Sequence, residues 1–173
     1  MSLLPARCLR RLCLALAVAV LAPAALAQVQ PSATEAAAYR GLLAKAHRGD
    51  VTGLEQAIAA GAPLNARDSH GRTALHIATF ARQQGVIRAL ARAGADLNLL
   101  ENDRYDAVTI ASVADDEDTL RLLLSLGAKA GQVTSRYDGT ALIAAAHLGH
   151  DGVVRELIKA GAPLDHVNNL HWT

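Results

Sequence analysis

Apolar residues recur at three- and four-residue spacing in four separated stretches of the chain: "VTGLEQAIAA" from Val51, "GVIRALARA" from Gly85, "DTLRLLLSL" from Asp118 and "GVVRELIKA" from Gly152. That spacing puts the apolar side chains on one face, so each stretch predicts a short amphipathic helix. Each is followed closely by Gly-Ala, at Gly61, Gly94, Gly127 and Gly161, with intervals of 33, 33 and 34 residues. Glycine there is placed to adopt the left-handed conformation that ends a helix. Twenty-one residues before each Gly-Ala a shorter helical run opens, as "TALHIATFA" at Thr73 and "TALIAAAHLGH" at Thr140, with Arg40 and Asp106 at the same phase. Such a period predicts stacked supersecondary units. The extra residue of the 34-residue interval falls within "GAKAGQVTSRYDG", between Gly127 and Thr140, where a loop tolerates insertion.

Two short antiparallel helices and a loop every 33 residues resemble the ankyrin repeat, and "GRTALHIA" and "GADLN" in the second unit match that family's pattern closely. The resemblance covers residues 37 to 173, with units at about 37–66, 70–99, 103–132 and 137–166 and a partial fifth at 169–173. It is weaker in the first unit, where the loop is missing, and in the third, where "DAVTIA" replaces the usual opening. It implies an all-α solenoid with β-hairpin-like loops that works as a protein-binding module. Thr173 lies 33 residues after Thr140, so "NNLHWT" reads as the hairpin and first residue of a fifth repeat in an array that breaks off there. A repeat buries its apolar face only against its neighbours. Val154, Leu157 and Ile158 are therefore expected to be partly uncovered, and residues 140–173 to open more readily than 73–126 or to self-associate.

The N-terminus changes the picture of charge and location. "MSLLPARCLRRLCLALAVAVLAPAALA", residues 1–27, has the layout of a secretory signal: Arg7, Arg10 and Arg11, then an apolar run from Leu12 to Leu21, then Ala25-Leu26-Ala27 as cleavage site. The apolar run is too short to span a bilayer, which takes about 20 residues. Leu9 before the Arg10-Arg11 pair and Cys13 after it fit a twin-arginine signal poorly, which favours the general secretory route. Cleavage would start the mature chain at Gln28, with residues 28–36 as a linker, and would remove both Cys8 and Cys13. Losing three of 17 basic residues against 16 acidic ones leaves a net charge of −2, so a generalised nucleic-acid or membrane-surface role loses its support. Together with the resemblance to exported bacterial ankyrin proteins, the short signal predicts a periplasmic or secreted protein, with no membrane insertion after signal removal.

Catalytic chemistry has little to stand on. The resemblance gives His76 a structural hydrogen-bonding task at the loop, and His150 in the inter-helix turn reads the same way. His147, His150 and Asp151 are the best candidates for an alternative hydrolase or metal-dependent enzyme, since two histidines three apart beside an acid could be neighbouring ligands. "DDED", Asp115 to Asp118, lacks the calcium-loop spacing and reads as a helix start, with Asp118 as N-cap before "TLRLLL". Neither a nucleophile with an oriented base nor a Gly-rich phosphate loop can be assembled, and no catalytic, cofactor or metal residue is assigned.

The aromatics carry the functional expectation. In ankyrin proteins the partner meets the hairpin tips and the exposed end of each first helix. Tyr39, Tyr105 and Trp172 stand just before the opening residue of their units, Tyr137 three before it and Phe80 seven after it, so all five aromatics fall at such phases. The predicted partner-binding residues are His70, Arg72, Phe80, Tyr105, Tyr137, His147 and Trp172, with exposed aromatics as anchors. Charge is sorted too: Arg67 to Arg92 holds five arginines and one Asp, whereas Asp96 to Asp118 holds eight acids and one Arg, a bipolar pattern able to steer a partner.

Overall fold

A computed structural model describes residues 30–173, so the expected signal sequence and cleavage site lie outside the described residues. Helices α2 (Gly41–Arg48) and α3 (Val51–Ala59) form the first unit, α4 (Ala74–Phe80) and α5 (Gln84–Arg92) the second, α6 (Ala107–Val113) and α7 (Glu117–Ser125) the third, α8 (Ala141–Leu148) and α9 (Asp151–Lys159) the fourth. A further helix, α1 (Ala33–Ala38), precedes them. First helices stack on first helices, α2 to α4 to α6 to α8, and second helices on second helices. This is the all-helical solenoid that the periodicity predicts.

The repeat period is written into the backbone. N-caps of the first helices fall on Arg40, Thr73, Asp106 and Thr140, the four positions marked by phase. Gly61, Gly94, Gly127 and Gly161 all take positive φ, between 82° and 97°, which lets the chain turn away after each second helix. A second left-handed position recurs between paired helices at Gly49, Arg82, Asp115 and Gly149, and a third at the hairpin tips at Gly71, Arg104, Asp138 and His171. The tip of the fourth unit carries the only ladder among the described residues, with β1 (Val133–Thr134) paired antiparallel to β2 (Gly139–Thr140). Backbone pairs Asp68 with Arg72, Glu101 with Tyr105, Thr134 with Gly139 and Asn168 with Trp172, so the inserted residue sits in the tip between Thr134 and Gly139.

Small residues set the spacing of the first-helix row. Ala74, Ala107 and Ala141 share one phase and Ala78, Ala111 and Ala145 another, and all six are essentially buried. Their short side chains let neighbouring first helices approach closely, while Leu54, Ile87 and Leu120 fill the layer behind and are completely buried. Successive hairpins are stitched by the N–H of Asn102 to the His70 carbonyl at 2.9 Å, Ser135 to Arg104 at 2.8 Å and Asn169 to Tyr137 at 3.0 Å. His76 performs its expected structural task. Its Nδ1 accepts the Thr73 backbone N–H at 3.0 Å and its Nε2 donates to the Leu99 carbonyl at 3.0 Å, tying the second unit to the loop that follows.

Several expectations are corrected. Residues 28–36 are not merely a linker, because Ser32 and Glu35 form a reciprocal capping box that starts α1. The N-cap of α7 is Asp116, which accepts the Thr119 N–H at 3.1 Å, and Asp118 instead lies exposed in the first turn beside Arg121. Asp115 takes the left-handed position filled by glycine at Gly49 and Gly149, which moves the helix start forward by two residues. Leu157 is not uncovered: like Leu90 and Leu123 at its phase it is fully buried inside its own unit. Uncovered side chains in the fourth unit include Leu148, Ile158, 46% exposed, and Leu164, 63% exposed, whereas Leu97 and Ala130 at the phase of Leu164 are both 8% exposed.

Candidate partner-binding groove

Tyr39, Arg72, Tyr105 and Gly139 stand immediately before the four first-helix N-caps, and Trp172 at the same phase continues their row along the solenoid. A second row, seven residues after each N-cap, reads His47, Phe80, Val113 and His147. Between the two rows, from the third unit to the chain's last residues, runs a groove open to solvent. Tyr105, Tyr137 and Trp172 stand at its hairpin edge, Val113, His147 and Leu148 at its helix edge, with Thr109 and Ala144 among its lining. The His147 and Trp172 rings stack at 4.5 Å with 17° between their planes, bridging the edges.

Tyr105, Tyr137, His147 and Trp172, four of the predicted partner-binding residues, therefore line one cleft. The other three do not. Phe80 is partly buried at the end of α4, one repeat before Val113 in the helix-edge row, and lines no part of the groove. Arg72 is only 2% exposed, which removes it from the accessible surface. Its Nε donates to Asp68 at 2.7 Å and its guanidinium to Glu35 of α1 at 2.5 Å. His70 meets the same Glu35 carboxylate at 2.9 Å, and the Tyr39 hydroxyl donates to Asp68 at 3.1 Å. These residues pin α1 across the hairpin of the second unit. Hydrogen bonds from Ser32, followed by that of Arg72, hold the Glu35 carboxyl down at about 2.

The groove is lined mostly by apolar surface and holds no Asp, Glu, Lys or Arg. Burial raises the Tyr105 hydroxyl, and the nearby Asp103 and Glu101 carboxylates push it the same way. Charged residues beside the groove close on one another: Arg104 pairs with Asp138 at 3.0 Å, and Arg136 with Asp103. Much of the bipolar charge pattern is neutralised in the same way between neighbours. Arg82 lies 3.4 Å from Asp116, and Arg121 gathers Glu117 and Asp118 at 2.8 Å and Glu156 at 3.5 Å.

His147, His150 and Asp151 are not gathered as a set of metal ligands. His147 stacks on Trp172, while His150, in the turn between α8 and α9, sets its Nδ1 2.9 Å from the Ser112 carbonyl of α6. Among the described residues no group of three His, Cys, Asp or Glu side chains is placed to hold a metal ion. Nor is any described helix long and apolar enough to cross a membrane.

Stacked helix pairs joined by hairpins, with an aromatic cleft on the face that tips and first helices share, define a helical-repeat interaction protein. The chain belongs to the ankyrin repeat family: a family model for ankyrin repeats in three copies matches residues 42–134, and one for a single ankyrin repeat matches residues 137–169. The comparison with curated proteins finds no match. Ankyrin repeats serve as protein–protein interaction modules, and the family is typically non-enzymatic.

Proposed function

We propose that this chain is an exported ankyrin module that captures a protein partner in the groove of Tyr105, Tyr137, His147 and Trp172. The observation that carries the reading is the convergence of four residues, spread over 68 positions of sequence, on one uncharged cleft. Aromatic side chains at a solvent-open cleft provide large apolar area at low entropic cost and are the usual anchors of an interface. Export to the periplasm is supported by the charge, apolar length and small residues of 1–27 and is tested by mass spectrometry of the mature N-terminus. Gln28 is the expected first residue, and a cytoplasmic product retaining Met1 would defeat this part of the reading.

Alanine at Tyr105 and Tyr137 together should weaken capture of the native partner by more than about 2 kcal/mol, roughly thirtyfold in Kd. Equal capture by the double variant and the parent protein would remove the groove from the interface. Ile158, Leu164 and Val167 make a second exposed apolar surface, for which self-association through the fourth unit is the favoured reading. Sedimentation velocity tests it: Leu164→Glu should shift any concentration-dependent dimer to monomer.

A further inference from the structure

The row before the N-caps is interrupted at one place. Tyr39, Arg72, Tyr105 and Trp172 each project a large side chain there, and between Tyr105 and Trp172 stands Gly139. Nothing local requires glycine at that position. Gly139 lies in β2, paired with Thr134, and is not among the residues of positive φ. A Cβ added to it would meet Ser135 Oγ at 3.5 Å and Asn168 Nδ2 at 3.8 Å, ordinary van der Waals contacts. By contrast, a Cβ on Gly71, at a left-handed tip, would come within 2.3 Å of Asn102. The consequence of glycine at 139 is a gap one repeat wide, on the order of 10 Å at helix-packing distances, in an otherwise filled row.

We infer that Gly139 opens a slot that receives a single aromatic side chain from the partner, inserted between Tyr105 and Trp172, and that Gly139 determines the groove's specificity. This deepens the reading of the groove as the partner-binding face and rests on it. The lining holds no Asp, Glu, Lys or Arg, and several of its polar atoms are already engaged. Thr109 and Thr134 hydroxyls bond each other at 3.1 Å. Ser135 Oγ accepts the N–H groups of Tyr137 at 3.3 Å and Gly139 at 3.4 Å. Asn168 Oδ1 accepts those of Leu170 and Trp172 at 2.9 Å each. A cationic or carboxylate head placed there would lose its water with no charged residue in the lining to meet it, while the Arg104–Asp138 and Arg136–Asp103 pairs beside it are closed on themselves. A ring meets ring walls on both sides and gains edge and face contacts that an aliphatic chain does not.

Trp172 is the sole tryptophan of the chain, so its fluorescence reports on the slot directly. The test titrates the protein with N-acetyl-phenylalaninamide and, separately, N-acetyl-lysinamide, reading Trp172 emission together with amide shifts of Gly139 and Ala144. The phenylalanine probe should give a saturable response at both residues, with the lysine probe about tenfold weaker or more. Gly139→Leu fills the gap from the strand, and Ala144→Leu fills it from α8. Whichever variant retains the parent's helical spectrum and melting temperature should lose the phenylalanine response by about tenfold or more. An undiminished response in a folded, slot-filled variant, a lysine probe as strong as phenylalanine, or no saturable aromatic response would each overturn the slot. Those results leave the groove itself to the partner-capture experiment on Tyr105 and Tyr137, which reads the broader proposal independently.

Discussion

Acidifying the second unit isolates one buried histidine. His76 is 1% exposed, and burial lowers its affinity for a proton from 6.5 to about 4, against the upward pull of its backbone hydrogen bonds. With Nδ1 accepting from Thr73 and Nε2 donating to Leu99, the neutral ring satisfies both partners, and an added proton would point at the Thr73 N–H. Because the folded-state value is depressed, the unfolded chain binds the extra proton between pH 6.5 and pH 4. Stability is therefore fully present above about pH 6.5 and is lost as pH falls toward 4. The difference corresponds to about 3 kcal/mol in all, of which about 2 kcal/mol should be gone by pH 5. The assay is urea unfolding followed by circular dichroism at pH 7.5, 6, 5 and 4.5, comparing the parent with His76→Gln. That variant should be less stable at pH 7.5 yet show a much flatter slope between pH 7.5 and 5. Carboxylates that titrate lower cancel in the comparison. Equal slopes for parent and variant would refute the argument that burial of this ring couples the fold to pH.

Three further outcomes follow from the same geometry. Asp106 caps α6 while almost wholly buried, and burial raises its carboxyl, so its charged form costs stability above the folded-state value and the cost disappears in acid. Asp106→Thr, which installs the residue found at Thr73 and Thr140, should stabilise the fold by about 1 kcal/mol at pH 7 in urea melts, with a smaller gain at pH 4. Glu35→Gln should release α1, seen as faster amide exchange at residues 33–38, and lower the melting temperature of the array, because the buried Arg72 guanidinium loses one of its two carboxylate partners. Hydrogen exchange should also find residues 140–173 opening more readily than 73–126, since Ile158 and Leu164 lack the cover that Leu97 and Ala130 have, and uniform protection in a monomer would contradict this.

Local chemistry was the part of the fold legible in sequence. Gly61, Gly94, Gly127 and Gly161 announce helix ends because a left-handed residue is a property of one position, and the N-caps at Arg40, Thr73, Asp106 and Thr140 follow by counting. Counting could also have placed the start of α7. Asp116 shares its phase with Asp50 and His150, both N-caps, whereas Asp118 was chosen only for its charge beside an apolar run. Helix α1 carried a readable sign in Ser32 and Glu35, the spacing of a capping box, hidden within a stretch whose small and polar composition suggested a linker.

The groove was half legible. Phase aligned Tyr105 with Trp172, because in a solenoid equal phase means equal place, and put Tyr137 and His147 on the same side of the array. Arg72 shared that phase and still left the surface, since its long side chain reaches two carboxylates, one of them on the helix that had gone unrecognised. Gly139 leaves no mark in a sequence because it supplies no side chain to fill a face. The shape of a cleft depends equally on the position where a side chain is missing, and that shows only once the row is assembled in space.

Site-specific photo-crosslinking in the producing cell tests the central claim most directly. A benzophenone amino acid placed at Tyr137, on the groove, should form a covalent adduct with one discrete partner protein. The same group at Arg92, exposed on a second helix away from the groove, should not. A partner captured from Arg92 and not from Tyr137 would contradict the account and move the interface to the opposite side of the solenoid.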